Sequence, residues 1–469
     1  MLVFFNRITL NLINVIENQI FMSFKRDVLK ELRHWSEKLH RKPLILRGAR
    51  QVGKTTSVQI FGQEFEYFIQ LNLEKKIDQE YFTRYDRIED TVQAILFAHN
   101  VPASSKRILL FIDEIQAEPK AVAWLRYFYE QYPQLYVIAA GSLLETLLEA
   151  KNAFPVGRVE YLVLRPVSFA EFLHAIGESN AAEALDEIPL PNYVYPKLLG
   201  LFHIYALIGG MPEIVQEYAN TRDFTQLRPI YNTLLTAYQD DVQKYASGKT
   251  RTQIIQHCIQ NIFFEAGKRI KFQGFGQSNY GSTEIGEALR MLQKAMICHL
   301  VYPITHTELP PLPDLRKQPY LQILDTGLMN YFCGLQESLI GTKDLSDIYR
   351  GRVIQHWVGQ QILATMHNPL DQLHFWVREK KQSSAEVDYI LPFAGKLIPL
   401  EVKSGTSGKL RSLQLYMDEC NHDMALRLYA GELTMHPVQT QNGKKYRLLN
   451  LPYFLGEKLT DYLKWMNSQ

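Results

Sequence analysis

The stretch that decides the fold is KPLILRGARQVGKTT, residues 42–56. Its apolar start predicts a short strand at Leu44–Leu46, and the residues from Gly48 to Thr55 fit the pattern G-x-x-x-x-G-K-[ST]. In this pattern backbone N–H groups surround phosphate oxygens, the lysine reaches the β- and γ-phosphates, and the hydroxyl binds Mg²⁺. The helix that follows directs the positive end of its dipole at the anion. A chance glycine-rich turn before a helix is the alternative, but the context of strand, loop and helix favours a nucleotide site.

The residues that this pattern places against a bound nucleotide lie in one loop and in the first turn of its helix. They are Gly48, Gln51, Val52, Gly53, Lys54, Thr55 and Thr56. We therefore expect ATP and Mg²⁺ as cofactors, with Lys54 also acting on the phosphoryl group that is transferred.

A second segment, RILLFIDEIQ at residues 107–116, is an almost continuous apolar run that ends in Asp113 and Glu114. Such runs are typical of strands that are buried on both faces of a parallel sheet. Acidic residues at the carboxyl end of a strand lie where α/β sheets bind ligands. We predict that Asp113 holds Mg²⁺ and that Glu114 polarises the attacking water. The alternative is a strand end with two solvated carboxylates.

Three further apolar runs continue the alternation of strand and helix, at residues 66–74, 135–142 and 159–166. This alternation predicts an α/β fold with a parallel sheet, as in P-loop NTPases. Ser142 ends one run, where a polar side chain would sense the γ-phosphate. Arg158 precedes another, where its forked, permanently charged group could reach the nucleotide of a neighbouring subunit. A surface ion pair is the alternative for Arg158.

Composition sets bounds on the class of protein. The 469 residues suggest about three domains, and the net charge of +2 means that any contact with nucleic acid needs a local basic patch. None of the four cysteines forms a C-x-x-C, so we interpret them as reduced thiols of a cytosolic protein. No H-E-x-x-H occurs, and no apolar run approaches the roughly 20 residues of a membrane span.

Several segments together resemble a family of prokaryotic AAA+-type ATPases that carry a C-terminal domain of uncharacterised function. The segments are GARQVGKTT, FIDEIQ, AAGSLLE, VGRVEYLVLRPVSFAEFL, IGGMPEIV, YQDDVQKY, ILDTGLMNYF and EVDYIL with IPLEVKSG. The resemblance runs from about residue 23 to about residue 430. It implies ATP binding and hydrolysis, a helical lid after the sheet, and a homo-oligomeric ring in which Arg158 completes a neighbour's site. It leaves the cellular role open.

The chain is predicted to have five parts. They are an N-terminal extension (1–22), a P-loop ATPase core (23–170), a helical lid (171–225), a helical, winged-helix-like domain (226–334) and a nuclease-like domain (335–469). The extension is apolar but broken by polar residues, so it is either upstream translation or a loosely packed extra helix.

The middle of the chain contains three recognisable segments. Residues 282–304 have apolar positions three or four apart, which indicates a helix, and then a strand, as in a winged helix. KRIKFQGFG, residues 268–276, could contact phosphate, although a solvated loop is the simpler interpretation. The Pro-rich residues 305–319 are predicted to be a linker or an exposed loop.

The C-terminal part contains EVDYILPFAGKLIPLEVKSG, residues 386–405, which predicts two strands joined by a turn. Glu401 and Lys403 are two residues apart and share one face of the second strand, while Ile398, Leu400 and Val402 point the other way, into a core. Asp388 and Glu401 could hold a hard cation such as Mg²⁺ through carboxylate oxygens. Lys403 could stabilise phosphate charge.

This D…E-x-K arrangement resembles the PD-(D/E)XK nuclease superfamily. That resemblance implies a further acid from a preceding helix, here predicted at residues 351–363, where this chain has Gln355. A site with two carboxylates should hold Mg²⁺ more weakly, so an active nuclease and an inactive nuclease fold that binds DNA or protein both stay open.

Three functions follow as hypotheses. The first is an ATP-driven machine that acts on DNA or on a partner protein. The second is a metal-dependent nuclease that is gated by ATP. The third is a nucleotide-dependent switch with slow turnover, in which the bound nucleotide changes partner binding and no chemistry on a further substrate is needed.

Overall fold

The computed structural model describes residues 25–102, 104–141, 155, 157–245, 248–336, 352–380, 383–405 and 408–469. The predicted N-terminal extension, residues 1–22, lies outside these. The chain forms two compact units, each built from separate segments. The first unit contains the residues up to Val167, His174–Gly177 and Met211–Leu227, and the second contains Ser168–Leu173, Glu178–Gly210 and Arg228–Gln469.

The described residues form strands and helices that are numbered in chain order. The strands are β1 Leu44–Arg47, β2 Tyr67–Asn72, β3 Ile108–Asp113, β4 Leu135–Ala140, β5 Glu160–Val163, β6 Cys298–Val301, β7 Pro303–Ile304, β8 Tyr320–Ile323, β9 Phe375–Lys380, β10 Ser383–Val387, β11 Tyr389–Phe393, β12 Lys396–Val402, β13 Met424–Tyr429, β14 Thr434–Gln439 and β15 Lys445–Pro452. The helices are α1 Val28–Glu37, α2 Lys54–Gly62, α3 Lys76–Thr83, α4 Ile88–Ala98, α5 Pro119–Gln131, α6 Phe169–Ala175, α7 Ser179–Ala184, α8 Tyr195–Ile208, α9 Pro212–Thr221, α10 Arg228–Tyr245, α11 Lys249–Glu265, α12 Ser282–Lys294, α13 Thr326–Phe332, α14 Arg352–Ala364, α15 Arg411–Glu419 and α16 Leu459–Ser468. None of these helices is long and apolar enough to cross a membrane.

The first unit is built on a five-stranded sheet in the order β2-β3-β4-β1-β5, and every neighbouring pair is parallel. All six residues of β3 are buried. Leu110 and Ile112 of this strand belong to one apolar core with Val92 of α4 and Leu125 of α5. Burial on both faces explains the continuous apolar run, and the predicted parallel α/β sheet is confirmed.

The predicted lid, residues 171–225, is helical and contains most of α6 and all of α7, α8 and α9. A turn at Gly209-Gly210 separates α8 from α9, as the sequence indicates. The compact units divide this region, because Glu178–Gly210 belongs to the second unit and Met211–Leu227 to the first. Its assignment as one lid domain stays a prediction.

In the second unit, α12 is followed by β6, which pairs with β8 in an antiparallel two-stranded sheet. This is the helix and strand that the sequence predicts over residues 282–304. Residues 305–319 connect β7 to β8 as a loop, in which Leu312 and Leu315 are largely exposed. The winged-helix assignment stays a prediction.

The C-terminal part contains a mixed sheet in the order β11-β12-β13-β15-β14. Its three central strands are parallel, and β11 and β14 form antiparallel edges. The predicted helix at residues 351–363 is α14. The predicted single strand EVDYIL is wrong, because Asp388 separates β10, which pairs with β9, from β11, which pairs with β12.

The start of the motif IGGMPEIV, residues 208–210, meets the motif ILDTGLMNYF inside the second unit. The Gly210 N–H donates to a carboxylate oxygen of the buried Asp325 at 2.6 Å, and the Asn330 amide donates to the carbonyl of Leu207 at 3.0 Å. A Cβ atom on Gly327 would lie 1.9 Å from the carbonyl oxygen of Ile208. The small residues and the acid of the two motifs therefore form one closely packed junction.

Candidate nucleotide site and candidate cation site

The loop between β1 and α2 requires glycine at two positions. A Cβ atom on Gly48 would lie 2.6 Å from the carbonyl oxygen of Leu164, so a side chain would collide with the backbone that follows β5. Gly53 precedes α2 with φ 93° and ψ 22°, a left-handed conformation that glycine adopts without steric cost. The glycines of the sequence pattern are therefore explained by the path of the loop.

Lys54 is the first residue of α2, and its side chain extends back into this loop. Only 8% of its surface is exposed. Its Nζ donates to the carbonyl oxygens of Gly48 at 3.0 Å and Ala49 at 2.9 Å. Burial lowers the pKa of the ammonium group to about 8, although the nearby carboxylates of Glu114 and Asp113 act in the opposite direction. The loop thus holds a desolvated cation where the sequence pattern expects phosphate oxygens.

Thr55 and Asp113, the two predicted ligands of Mg²⁺, are in direct contact. The Thr55 hydroxyl donates to Oδ2 of Asp113 at 2.8 Å, and the backbone N–H of Glu114 donates to Oδ1 at 3.1 Å. Burial raises the pKa of the Asp113 carboxyl, and the hydrogen bond from Thr55 opposes that rise. Hard oxygen donors on adjacent side chains fit Mg²⁺, which is commonly held through one or two carboxylates together with substrate phosphates.

Glu114 has a left-handed backbone, with φ 50° and ψ 42°, between β3 and a short 3₁₀ turn. Residues other than glycine occur there infrequently, and such conformations concentrate at functional sites. Its carboxylate accepts a hydrogen bond from the Gln116 amide. The sequence analysis assigns Gln116 no role. Its position two residues after Glu114 in FIDEIQ is the feature of the sequence that could have indicated this contact.

The two other predicted catalytic residues differ in what the structure says of them. Ser142 lies outside the described residues. The strand before it, β4, lies between β1 and β3. The carboxyl end of β4 is therefore between the strand that precedes the P-loop and the strand that ends in Asp113. Arg158 precedes the amino end of β5, and its Nε donates to Glu130 at 3.0 Å in an exposed ion pair. β5 is parallel to β1, so the amino ends of the two strands lie on the same side of the sheet. Arg158 therefore lies on that side, whereas the P-loop of the same chain follows the carboxyl end of β1. A role in a neighbouring subunit stays a prediction.

In the second unit, the structure brings together the three predicted residues of the D…E-x-K site. Oδ2 of Asp388 accepts the backbone N–H of Val402 at 2.7 Å. Oε1 of Glu401 pairs with Nζ of Lys403 at 2.6 Å, and the Glu401 side chain is 7% exposed. Oε2 of Glu401 is buried and has no hydrogen-bond partner among the described residues.

The electrostatics of this site favour a cation. Burial raises the pKa of Asp388 well above its usual value, and the charge of Glu401 adds to the rise. Burial also raises the pKa of Glu401, whereas Lys403 acts against that rise. Two buried carboxylates that repel each other fit a divalent cation as a counter-charge, and Oε2 of Glu401 offers it a ligand.

Gln355, the neutral residue where the nuclease superfamily implies a further acid, is buried in α14. Its backbone carbonyl accepts a hydrogen bond from the Tyr389 hydroxyl at 2.8 Å. Within the part of the chain that the structure describes, no three or more His, Cys, Asp or Glu side chains form a group suited to a metal ion. Asp388 and Glu401 carry the two carboxylates that the sequence predicts for this site, and their role as metal ligands stays a prediction.

The basic stretch at residues 268–276 is already engaged within the second unit. Lys268 pairs with Glu265 at 3.2 Å, and Arg269 pairs with Glu379 at 3.2 Å and Glu386 at 3.5 Å. These ion pairs favour the solvated-loop interpretation over a phosphate contact.

Comparison with known families supports the class that the fold and the nucleotide site define. Residues 40–173 match the family described as AAA domain, which agrees with the P-loop NTPase fold of the parallel sheet and supports an ATPase of AAA type. Residues 199–339 and 350–452 match two families described as domains of unknown function, DUF8612 and DUF4143. No curated protein matches the chain in sequence.

Solved structures show a more distant similarity. A Walker-type ATPase of Pyrococcus abyssi has a TM-score of 0.44 at 15% identity, covering 66% of this chain and 96% of its own. The ORC1 protein of Aeropyrum pernix in complex with DNA has a TM-score of 0.30 at 12% identity, covering 68% and 96%. The RuvB Holliday junction branch migration motor of Thermotoga maritima has a TM-score of 0.29 at 17% identity, covering 59% and 90%. The assignment of the ATPase domain rests on its own residues and on the family match.

Proposed function

We propose that this protein is a Mg²⁺-dependent ATPase of AAA+ type whose hydrolysis drives or gates action on DNA or on a partner protein. The observation that carries the proposal is the contact between Thr55 and Asp113 beside the buried Lys54 and the strained Glu114. These four residues come from two segments about 60 residues apart, and phosphoryl transfer needs a cation, oxygen ligands for Mg²⁺ and a base in one site, so their proximity supports the proposal.

Geometry supports the roles of Lys54, Thr55, Asp113 and Glu114, and the sequence pattern alone supports those of Ser142 and Arg158. Lys54 exchanges its two carbonyl partners for phosphate oxygens, and the amides of residues 48–56 surround the phosphates. Thr55 and Asp113 would hold Mg²⁺, and the ion would supply positive charge to the phosphates when bound. Glu114 accepts the proton of the attacking water. Ser142 senses the γ-phosphate, and Arg158 acts on the nucleotide of a neighbouring subunit.

The test is the rate of ATP hydrolysis by the purified protein with Mg²⁺, with and without double-stranded DNA. Lys54→Ala is the control, and it should abolish nucleotide binding while its unfolding transition stays cooperative. Stimulation by DNA would favour a DNA-directed machine, and no response to DNA would favour a protein partner. A wild-type protein that neither binds nor hydrolyses ATP would exclude the proposal.

A second candidate function is an ATP-gated, metal-dependent DNA nuclease. The buried Oε2 of Glu401, which has no partner among the described residues and lies beside Lys403, favours it. The test is nicking of supercoiled DNA with Mg²⁺ or Mn²⁺, which should be lost in Asp388→Ala and kept in the surface control Glu432→Ala. Nicking that survives Asp388→Ala would come from a contaminant and would remove this candidate.

The third candidate, a nucleotide-dependent switch, is separated from the first by turnover. Tight ATP binding with negligible hydrolysis, both with and without DNA, would favour the switch. The carboxylate of Glu114, directly after Asp113, supports a hydrolysing enzyme instead, because it supplies a base for the attacking water.

A further inference from the structure

A buried arginine, Arg26, donates a hydrogen bond to the backbone of the P-loop, and no sequence pattern indicates this contact. Arg26 precedes α1, has 2% of its surface exposed, and is among the largest fully buried side chains of the described residues. Its Nη2 donates to the carbonyl oxygen of Arg165 at 2.8 Å, and its Nη1 donates to the carbonyl oxygen of Val52 at 3.3 Å. One guanidinium thus joins the P-loop to the backbone that follows β5.

The backbone that follows β5 supports the loop at both of its ends. The Leu164 N–H donates to the carbonyl of Arg47, the last residue of β1, at 2.7 Å. The Leu164 carbonyl lies where a side chain of Gly48 would be, and Arg165 is joined to Val52 through Arg26. The start of the loop is therefore fixed by direct backbone contact, and its end is fixed through the guanidinium.

The planarity of the peptide group gives this contact a consequence for phosphate binding. The Val52 carbonyl and the Gly53 N–H belong to one peptide unit, and in a trans unit they point in opposite directions. A donor that holds the carbonyl on one side of the loop therefore turns the Gly53 N–H to the other side. With the carbonyl free, rotation of this unit would present an acceptor oxygen where a phosphate needs a donor.

We infer that Arg26 is a positioning residue for nucleotide binding, which orients the Val52–Gly53 peptide so that its N–H faces the phosphates. The inference rests on the proposed function, since it concerns the ATP site. Arginine suits the task because its planar group has several donors in a fixed geometry and can join two carbonyls. Lysine keeps the charge but is a compact point charge on a flexible stem, so it does not reproduce this bridge.

The test separates this geometry from two simpler roles, a contribution of charge and a contribution to folding alone. Arg26→Lys keeps the charge, and Arg26→Gln keeps a single NH₂ donor group without charge. Arg33→Lys is the matched control, because Arg33 lies on α1 and forms an exposed pair with Glu64 at 2.7 Å. The dissociation constants of Mg-ADP and Mg-ATP, KM and kcat for ATP hydrolysis, and the melting temperature without nucleotide are measured for each.

We expect both Arg26 variants to bind nucleotide about tenfold more weakly, the scale of one lost hydrogen bond to a charged group. KM should rise with kcat little changed, and Arg33→Lys should behave as wild type. Wild-type affinity in Arg26→Lys would overturn the inference and leave the proposed function intact. A fall in melting temperature with unchanged nucleotide affinity, or failure of both variants to fold, would make Arg26 a folding residue only. Absence of nucleotide binding by the wild type would overturn both the inference and the proposed function.

Discussion

At the scale of single residues, Glu114 has a backbone conformation that residues with a Cβ atom disfavour, at a position where the proposed chemistry needs a carboxylate. Its left-handed backbone costs roughly 1–2 kcal/mol for a residue with a Cβ atom. The cost is offset by the buried strand before it, because all six residues of β3 are fixed in the core. The backbone therefore turns immediately after Asp113, and the two consecutive carboxylates contact different partners, Thr55 for Asp113 and Gln116 for Glu114.

The first prediction at this scale concerns Glu114→Gln. The amide is nearly the same size but cannot accept the proton of the attacking water, so ATP binding should persist and hydrolysis should fall about 10²–10⁴-fold. Glu118→Gln is the control, because Glu118 caps α5 through an oxygen that glutamine also has. Steady-state phosphate release and equilibrium nucleotide binding check this. If Glu114→Gln turns over ATP like the wild type, the role assigned to Glu114 is wrong.

The second residue-scale prediction concerns pH and Lys54. Burial lowers the pKa of Lys54 to about 8 in the nucleotide-free protein, and phosphate binding needs the charged form. ATP affinity should therefore fall as the pH rises above 8, by up to about tenfold per pH unit. Titrations of ATP binding from about pH 7 to about pH 9.5 span this window. An affinity that does not change across that range would contradict the prediction.

The stability of the nucleotide-free protein should change in the opposite direction. The folded-state pKa of Lys54 is lowered from its unfolded value of about 10.4, so the unfolded chain holds more protons at pH values between the two. The free energy of unfolding should rise with pH in that window. Denaturant unfolding of the wild type and of Lys54→Met measures this, and the difference between their slopes isolates the contribution of Lys54.

At the scale of elements, the sequence predicts the strands that are buried on both faces and fails where a contact joins distant segments. The continuous apolar run at β3 marks its strand because neither face meets water. The run EVDYIL suggests one strand, but local pattern carries no information on which sheet each half joins, so it does not predict the break at Asp388. The contacts of Arg26 reach 26 and 139 residues along the chain, and no local pattern encodes them.

The element-scale prediction compares two helical glycines. An added Cβ on Gly200 in α8 would meet no heavy atom of the described residues within 4 Å, so Gly200→Ala should stabilise the protein by about 0.5–1 kcal/mol. Gly327 in α13 has the Ile208 carbonyl oxygen 1.9 Å from that position, so Gly327→Ala should destabilise it by at least about 2 kcal/mol. Thermal and denaturant unfolding measure both. A stabilising Gly327→Ala would mean that the junction of the motifs IGGMPEIV and ILDTGLMNYF is less closely packed than the structure shows.

At the scale of the whole molecule, the division of the chain is more complex than the predicted succession of domains. The chain passes between the two compact units after Val167, Leu173, Gly177, Gly210 and Leu227. Ile214 and Val215 of α9 are fully buried and belong to the first unit, although the sequence predicts that the ATPase core ends at residue 170. A sequence pattern marks helices and strands, but it does not show which core a given helix joins.

The prediction at this scale is that the isolated fragment 25–167 does not fold as an independent ATPase domain. It lacks α9, whose fully buried Ile214 and Val215 belong to the first unit, so the apolar packing that this helix contributes would be lost. We expect aggregation or a non-cooperative thermal transition, and ATP binding at least about tenfold weaker than that of the full chain, which serves as the control. A monomeric fragment with full-length affinity would show that the two later segments of the first unit, His174–Gly177 and Met211–Leu227, are dispensable.

The strand order has a consequence for synthesis on the ribosome. β1, which carries the P-loop, lies between β4 and β5, so it has no neighbour in the sheet until those later strands have been made. The chain from Arg47 to Ala140, where β4 ends, takes on the order of ten seconds to translate at roughly 5–20 residues per second. During that time the apolar β1 must stay unpaired and the nascent chain has no complete ATP site. A chaperone that shields short apolar segments would therefore act on this protein before the nucleotide can.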